Sequence, residues 1–533
     1  MPDPTTSTSA AAPRAPRDAW IAVAVAVVAA ILTYALSVQN GFAYDDEPML
    51  RENRLIHALG DLPDALARPY WLQYGTLYRP LTTLAFGIDW AIGGGAPWIY
   101  HAFNIGWHAL CAALIVRLAL RWLPPVAAGV AGLAFAVHPV HVEAVSNSVG
   151  RAELMCGAAL LGVAILATRT GARPRDQWLL VMLCSFAALG SKETGVVAPA
   201  IAMAGAWVAT RDARSAMRLG GAALAGVVPL LVARTIVLGA LGGDQPHVAF
   251  QVVSWGHGLV FALSMLPRAI GIMLVPQQPV YEYSPTTAQL AHPDLALVAT
   301  GIAIVLAALA VVVALVRRPA WVTFALVFTI VTLTPVANLF FRTGVVLAER
   351  TMYAPSMGLV LVLATGFAAL LARRRLIAIV VAATWCATSA ALTWRDVRVW
   401  DSTESVVEAF TTRNPDSYAG WMFLGNTGVL TGDRPRALAA YRRGLALFDG
   451  DHRLVHAGAI QMILAGDTAE ATRWLELALA KWPASRRSRT VLIRMRVAQR
   501  DRTAALRLLD DGLKLEPDQR GWSQLRDSLR AAP

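Results

Sequence analysis

Three acids stand side by side in the run Tyr44-Asp45-Asp46-Glu47-Pro48, just past a long apolar segment. Adjacent carboxylates at a membrane edge can supply a general base or hold a divalent metal. The same run also fits an ordinary solvated loop, or the cap of a short helix starting at Pro48. Four cations recur in comparable settings, within Tyr78-Arg79-Pro80, Gly150-Arg151-Ala152-Glu153, Ser191-Lys192-Glu193-Thr194 and Glu349-Arg350. They suit a phosphate, since guanidinium forks match phosphate oxygens and an ammonium supplies a point charge. Each has a plainer use as well: Lys192 and Glu193 can neutralise one another, and Arg151 can pair with Glu153 or Glu143. His138 and His141, in His138-Pro139-Val140-His141-Val142-Glu143, have metal-ligand chemistry but no clear third ligand. His101, Asn104 and His108 fall at i, i+3 and i+7 and so share one helix face. Hydrogen bonding between helices is the plainer role for that face, and substrate contact the other.

The elements that position these residues follow from composition. Of 533 residues, 56% are hydrophobic and 15% charged, against about 25% charged in a soluble domain, and the mean hydropathy is +0.50. Long apolar runs recur from Trp20 to Trp394, whereas Asp396 to Pro533 reads as a soluble helical segment. The net charge of +12 does not point to nucleic acid, because the early basic residues cluster between apolar runs and there orient a membrane protein. The four cysteines (Cys111, Cys156, Cys184, Cys386) are far apart in apolar stretches, as small core residues would be.

Residues 1–19 read as a disordered cytoplasmic N-terminus with Arg14 and Arg17, followed by an uncleaved signal-anchor. From there the positive-inside rule orients eleven crossings: 20–38, 98–116, 126–137, 154–168, 178–189, 196–210, 220–238, 295–316, 321–340, 352–371 and 376–393. The clusters at Arg117/Arg121, Arg169–Arg175, Arg211–Arg218, Arg317/Arg318 and Arg373–Arg375 then all fall inside, and the first loop, 39–80, falls outside. Counting Gly258–Val275 as a crossing would invert the later clusters, so that stretch reads as re-entrant or surface-lying.

After a connector over 395–416, residues 417–533 repeat. Trp421-x-x-Leu424-Gly425 opens a tetratricopeptide (TPR) pattern. At a period of 34, Asp433, Asp467 and Asp501 align, as do Ala437, Ala471 and Ala505, then Tyr441, Leu475 and Leu509. About three repeats is the minimum for a stable solenoid, and such arrays bind polypeptide or act as structural caps.

Taken in order, Phe42-Ala43-Tyr44-Asp45-Asp46, Tyr78-Arg79-Pro80-Leu81, the His138–Val145 run, Gly150–Glu153, Ser191–Thr194, Thr334–Phe341, Ala348–Ser356 and Trp394-Arg395-Asp396 ahead of the repeats resemble the transmembrane-and-TPR-repeat O-mannosyltransferases, the TMTC family. The resemblance covers nearly the whole chain. It implies an all-α polytopic membrane protein of GT-C type, residues 20–394, carrying a TPR α-solenoid. It further implies transfer of mannose or a similar sugar from a polyprenyl-phosphate donor to Ser or Thr of exported proteins on the extracytoplasmic side. By that resemblance Asp45 or Asp46 is the base. Glu47, Arg79, His138, His141, Arg151, Lys192, Glu193 and Arg350 are then candidates to bind substrate. No cofactor is implied beyond the lipid-phosphate sugar, which is a substrate, although the acids leave room for a divalent metal. The Ala- and Arg-rich composition points to a bacterial cytoplasmic membrane with the TPR tail in the periplasm. The array is shorter than in animal members. A non-catalytic TPR scaffold is the alternative, and a transporter is disfavoured because the charges sit at helix ends.

Overall fold

The computed structural model describes residues 16–171, 173–240, 246–318 and 320–531. Among the described residues there are helices and no strand, only an isolated bridge between Trp71 and Thr76. The chain forms two compact units, one of Met1–His247, Leu259–Tyr281 and Asp294–Val406, the other of Val248–Gly258, Glu282–Pro293 and Val407–Pro533.

Among the described residues, nine helices are long and apolar enough to cross a membrane, and ten if the bent pair Pro125–Val137 and Pro139–Ser146 is one span. The protein is therefore an integral, all-α membrane protein. The count departs from eleven for local reasons. Pro174–Ser191 opens with Arg175 and Asp176, which dilute its apolar length, and Trp321–Leu333 stops where Thr334-Pro335 turns the chain. The segment read as re-entrant or surface-lying forms the helix Trp255–Leu274, which is long and apolar enough to count as a crossing. The chain on either side of it nevertheless bonds to one neighbourhood: His247 N–H to Thr343 O at 2.8 Å, and Val280 and Tyr281 N–H to Glu349 at 2.7 and 3.0 Å. An additional helix, Pro80–Gly93, follows the first loop. Of the segment read as a cytoplasmic N-terminus, residues 1–15 lie outside the described residues, and the first helix begins at Pro16.

Four of the basic clusters, at Arg117/Arg121, Arg169–Arg175, Arg211–Arg218 and Arg317/Arg318, gather at one end of the bundle. Arg121 donates to Thr168 Oγ1 at 2.7 Å, Arg218 to Gln177 Oε1 at 3.2 Å, and Gln177 to Leu166 O at 2.7 Å. Trp207 Nε1 donates to Leu315 O at 3.0 Å, and the Trp122 and Trp321 rings stack at 5.9 Å. Arg151 opens the helix that ends at Ala167. At 1.5 Å per residue, the chemistry-bearing residues thus stand roughly 25 Å from the basic end.

The second unit carries the TPR-like solenoid. Its first helices begin at Tyr418, His452 and Arg486, each 34 residues after the last. The recurring aspartates are helix N-caps: Asp433, Asp467 and Asp501 accept from the N–H of Arg436, Glu470 and Ala504. Ala437, Ala471 and Ala505 are fully buried, as small residues at a close helix crossing must be. A Cβ on Gly425 would stand 2.5 Å from the Tyr441 ring, which explains the glycine in the opening motif.

Candidate active site

The first loop is pinned before it presents its acids. Asn40 Nδ2 donates to Val397 O at 2.9 Å, Gly41 N–H to Asp401 O at 3.0 Å, and Tyr44 N–H to Thr403 Oγ1 at 2.9 Å. Tyr44 takes a left-handed conformation, φ 52°, which costs a side-chain-bearing residue about 1–2 kcal/mol.

Asp46 is buried and serves the fold. Its Oδ1 accepts from Val149 N–H at 2.9 Å, and its Oδ2 from Ser148 and Ala43 N–H, each at 3.3 Å. It thereby ties the loop to the segment entering helix Arg151–Ala167. Burial pushes its carboxyl up to about 7, against those three amides, which favour the anion. Asp45 is 21% exposed along its side chain, and its Oδ2 lies 3.5 Å from Arg350 Nη1. Burial raises its carboxyl, while the Arg350 and Arg79 guanidiniums hold it down. Glu47 turns away into an exposed pair with Arg51 at 3.3 Å.

Around Asp45 the charges sort into two groups. Arg350 is gripped by Glu143, whose Oε1 accepts from Nη1 at 2.7 Å and whose Oε2 accepts from the backbone N–H at 2.9 Å. One cation there faces two carboxylates, Glu143 and Asp45. In the other group Arg79 donates to Glu193 Oε2 from Nη2 at 2.8 Å and from Nε at 3.0 Å, and Arg234 Nη1 stands 3.3 Å from Oε1 of the same carboxylate. Both guanidiniums there share the Glu193 carboxylate. Arg79 lies over the Tyr70 ring at 4.9 Å, and Tyr70 in turn feels the charges of Asp45 and Glu193. Lys192 is paired with Glu153.

Other residues singled out in the sequence lie in the interior. Arg151 is fully buried on Asp89 at 2.8 Å, Tyr100 O at 2.9 Å and Asn104. Asn104 also donates to Val145 and Asn147 carbonyls, so the shared helix face of Asn104 and His108 serves interhelical bonding. His141 uses both ring nitrogens, on Phe135 O and Ser356 Oγ at 2.9 Å each. His138 accepts from Val140 N–H at 3.1 Å and packs near Trp385. The structure thus brings Asp45, Arg79, Lys192, Glu193 and Arg350 into one neighbourhood and commits Arg151, His138 and His141 elsewhere. Among the described residues, no group of three or more His, Cys, Asp or Glu side chains is placed to hold a metal ion.

Sequence reasoning missed Arg234, Asp89 and Tyr70. A charge inside an apolar run is expensive and calls for a reason. That signal was present for Arg234, in helix Ala213–Leu238, and for Asp89, in Pro80–Gly93. Tyr70 carried none. Glu349 was named only as Arg350's neighbour. Buried, it holds the Val280–Tyr281 backbone, and Tyr281, at φ 70°, donates its hydroxyl to Asp396 at 3.2 Å.

A base beside a cation, with a cation-rich group close by, can deprotonate a hydroxyl and stabilise an anionic leaving group. The chain is similar to curated proteins whose names fit such chemistry. It is 29% identical over 434 residues to the human protein O-mannosyl-transferase TMTC4, covering 68% of this chain and 58% of the relative. It is 34% identical over 178 residues to protein O-mannosyl-transferase Tmtc1 of Drosophila melanogaster, covering 32% and 21%. Against the mouse protein O-mannosyl-transferase TMTC3 it is 31% identical over 176 residues, covering 31% and 19%. The chain thus spans little more than half the length of the first relative and about a fifth of the other two. No family model and no solved structure matches it. These similarities bear out the resemblance to the TMTC family.

Proposed function

We propose that this chain, a relative of the TMTC protein O-mannosyl-transferases, is a GT-C type membrane glycosyltransferase. It moves mannose or a similar sugar from a polyprenyl phosphate to a Ser or Thr hydroxyl of exported polypeptides. The observation that carries this reading is the division of labour between adjacent acids. Asp46 is consumed by three backbone amides, while Asp45 is left against Arg350 and partly open.

In the step itself, Asp45 takes the acceptor hydroxyl proton and the oxygen attacks the anomeric carbon. The bond from that carbon to the phosphate oxygen breaks, and the lipid phosphate leaves with the electron pair, inverting the configuration. Cations near Asp45 offset the charge growing on the phosphate. With the basic ends in the cytoplasm, the Asp45 end faces outward, and the chain beyond Val397, which bonds to the first loop, leaves from that end. The TPR array is then extracytoplasmic, periplasmic if the membrane is bacterial, where it engages the acceptor polypeptide.

The test is transfer by purified protein in nanodiscs from a panel of polyprenyl-phosphate sugars to exported proteins, read by mass spectrometry. Transfer lost in Asp45→Asn supports the reading. A folded wild type that captures partners yet transfers from no donor would favour a scaffold.

A further inference from the structure

The first helices of the three repeats, Tyr418–Leu430, His452–Leu464 and Arg486–Ala498, hold no acidic residue. Arginines accumulate there instead, one on the second helix and five on the third. Most are answered locally. Arg453 pairs with the capping Asp451 at 2.7 Å, Arg496 with Glu476 at 2.7 Å, and Arg486 stands 4.0 Å from Glu516. Arg489 is buried and donates to Pro483 O at 2.6 Å and Leu508 O at 3.2 Å. Arg487 and Arg494 are exposed, and among the described residues neither forms an ion pair.

Arg487 and Arg494 stand at i and i+7 and so share one face of their helix. The 34-residue period places Arg453 and Ile460 at the matching positions of the second repeat. The first helices lie side by side: Ser488 Oγ is 3.4 Å from His456 Nδ1, and the Arg487 charge acts on His456. In a solenoid such a row lines the concave surface. Toward the ends of the helices the same face turns aliphatic. Leu430 and Leu464, in register with Ala498 three turns past Arg487, are 84% and 57% exposed, and Val429 is exposed beside them.

We propose that this face of the array binds an acidic polypeptide segment that carries aliphatic residues beside its carboxylates. The proposal deepens the polypeptide-binding role given to the array and rests on it. Carboxylates of the incoming chain lie against Arg487 and Arg494, whose like charges no acid on the first helices offsets, and that field selects the sign of the partner. Aliphatic side chains of the segment cover Leu430 and Leu464, which otherwise stay in water. Nucleic acid fits less well, because the exposed apolar side chains on this face are aliphatic, whereas unpaired bases stack on aromatic rings. A concave row likewise admits one extended chain more readily than a plane of lipid head groups.

The experiment measures binding to the full chain in phosphatidylcholine nanodiscs by fluorescence anisotropy. The probes are labelled peptides of one repeating Leu-Ser-X pattern, with Glu, Gln or Lys at X, and a labelled single-stranded oligothymidylate; phosphatidylglycerol vesicles serve as competitor. The Glu peptide is expected to bind most tightly, and less so as salt rises. Arg487→Gln with Arg494→Gln should weaken it about two- to tenfold, the scale of two exposed charge pairs. Arg473→Gln with Arg507→Gln, exposed on the second helices, removes the same charge and should leave binding unchanged. Leu430→Ser with Leu464→Ser should weaken it without altering the salt dependence. Wild-type affinity in the Arg487/Arg494 variant would overturn the proposal, as would an equal loss in the Arg473/Arg507 variant. So would a Gln or Lys peptide bound as tightly as the Glu peptide, tighter binding of the oligothymidylate, or displacement of the Glu peptide by the vesicles. Preference for the Glu peptide in a chain that transfers no sugar would sink the transferase reading and leave this surface standing. Transfer without that preference would do the reverse.

Discussion

Asp45 Oδ2 stands 3.5 Å from Arg350 Nη1, whereas Glu143 Oε1 holds the same nitrogen at 2.7 Å. The longer contact leaves Asp45 the carboxylate able to change partners. Asp45→Asn is therefore expected to lower sugar transfer by about 10²–10⁴-fold, the range for a positioned base, with little change in thermal unfolding. Transfer at the wild-type rate in the folded variant would remove Asp45 from the mechanism.

Asp46 should behave in the opposite way. Asp46→Ala strands three backbone donors in a dry site, a loss of roughly 2–4 kcal/mol, because each unsatisfied buried group costs about 1–3 kcal/mol and part is recovered by relaxation. Thermal unfolding in detergent is expected to shift clearly downward, with any surviving folded fraction retaining transfer.

The pH profile reports Asp45 directly. A base works deprotonated, and burial raises this carboxyl above its ordinary value, about 3.9. Activity should fall as the pH drops through that raised value, so the acid limb lies above the usual carboxylate range. Arg350 holds the carboxyl down, so Arg350→Gln should move the limb further up. A limb unmoved by the substitution would show that Arg350 does not act on the titrating base.

Glu349 is expected to organise the backbone beside Arg350. Its carboxylate accepts from Val280 and Tyr281 N–H, so Glu349→Ala should speed hydrogen exchange over residues 276–286. Exchange as slow as in wild type would mean that other contacts hold the segment.

In the solenoid, Asp467→Ala removes the cap on helix Thr468–Lys481 and should cost about 1 kcal/mol. The cost should appear as faster exchange in that repeat in the full chain. Unchanged protection across residues 468–481 would count against the capping role.

Several features were legible because they follow from local rules. Apolar length and basic clusters mark membrane helices, and a 34-residue period aligns Asp433, Asp467 and Asp501, which the structure uses as helix N-caps. Hydropathy could not place Trp255–Leu274, because composition records length and polarity but not where the chain returns. Nor could adjacency separate Asp45 from Asp46, which share chemistry and differ by one residue.

The sequence by itself determined an all-α membrane protein with a repeat array and a set of acids and cations near helix ends. Those properties depend on residues close together in the chain, where periodicity and charge act directly. Only the tertiary structure decided which charges meet. Arg151 found Asp89, Arg350 found Glu143, and Arg79 and Arg234 found one carboxylate at Glu193. Such pairings join residues 41 to 207 positions apart, and desolvation settles them: a charge removed from water stays only where packing delivers an opposite one.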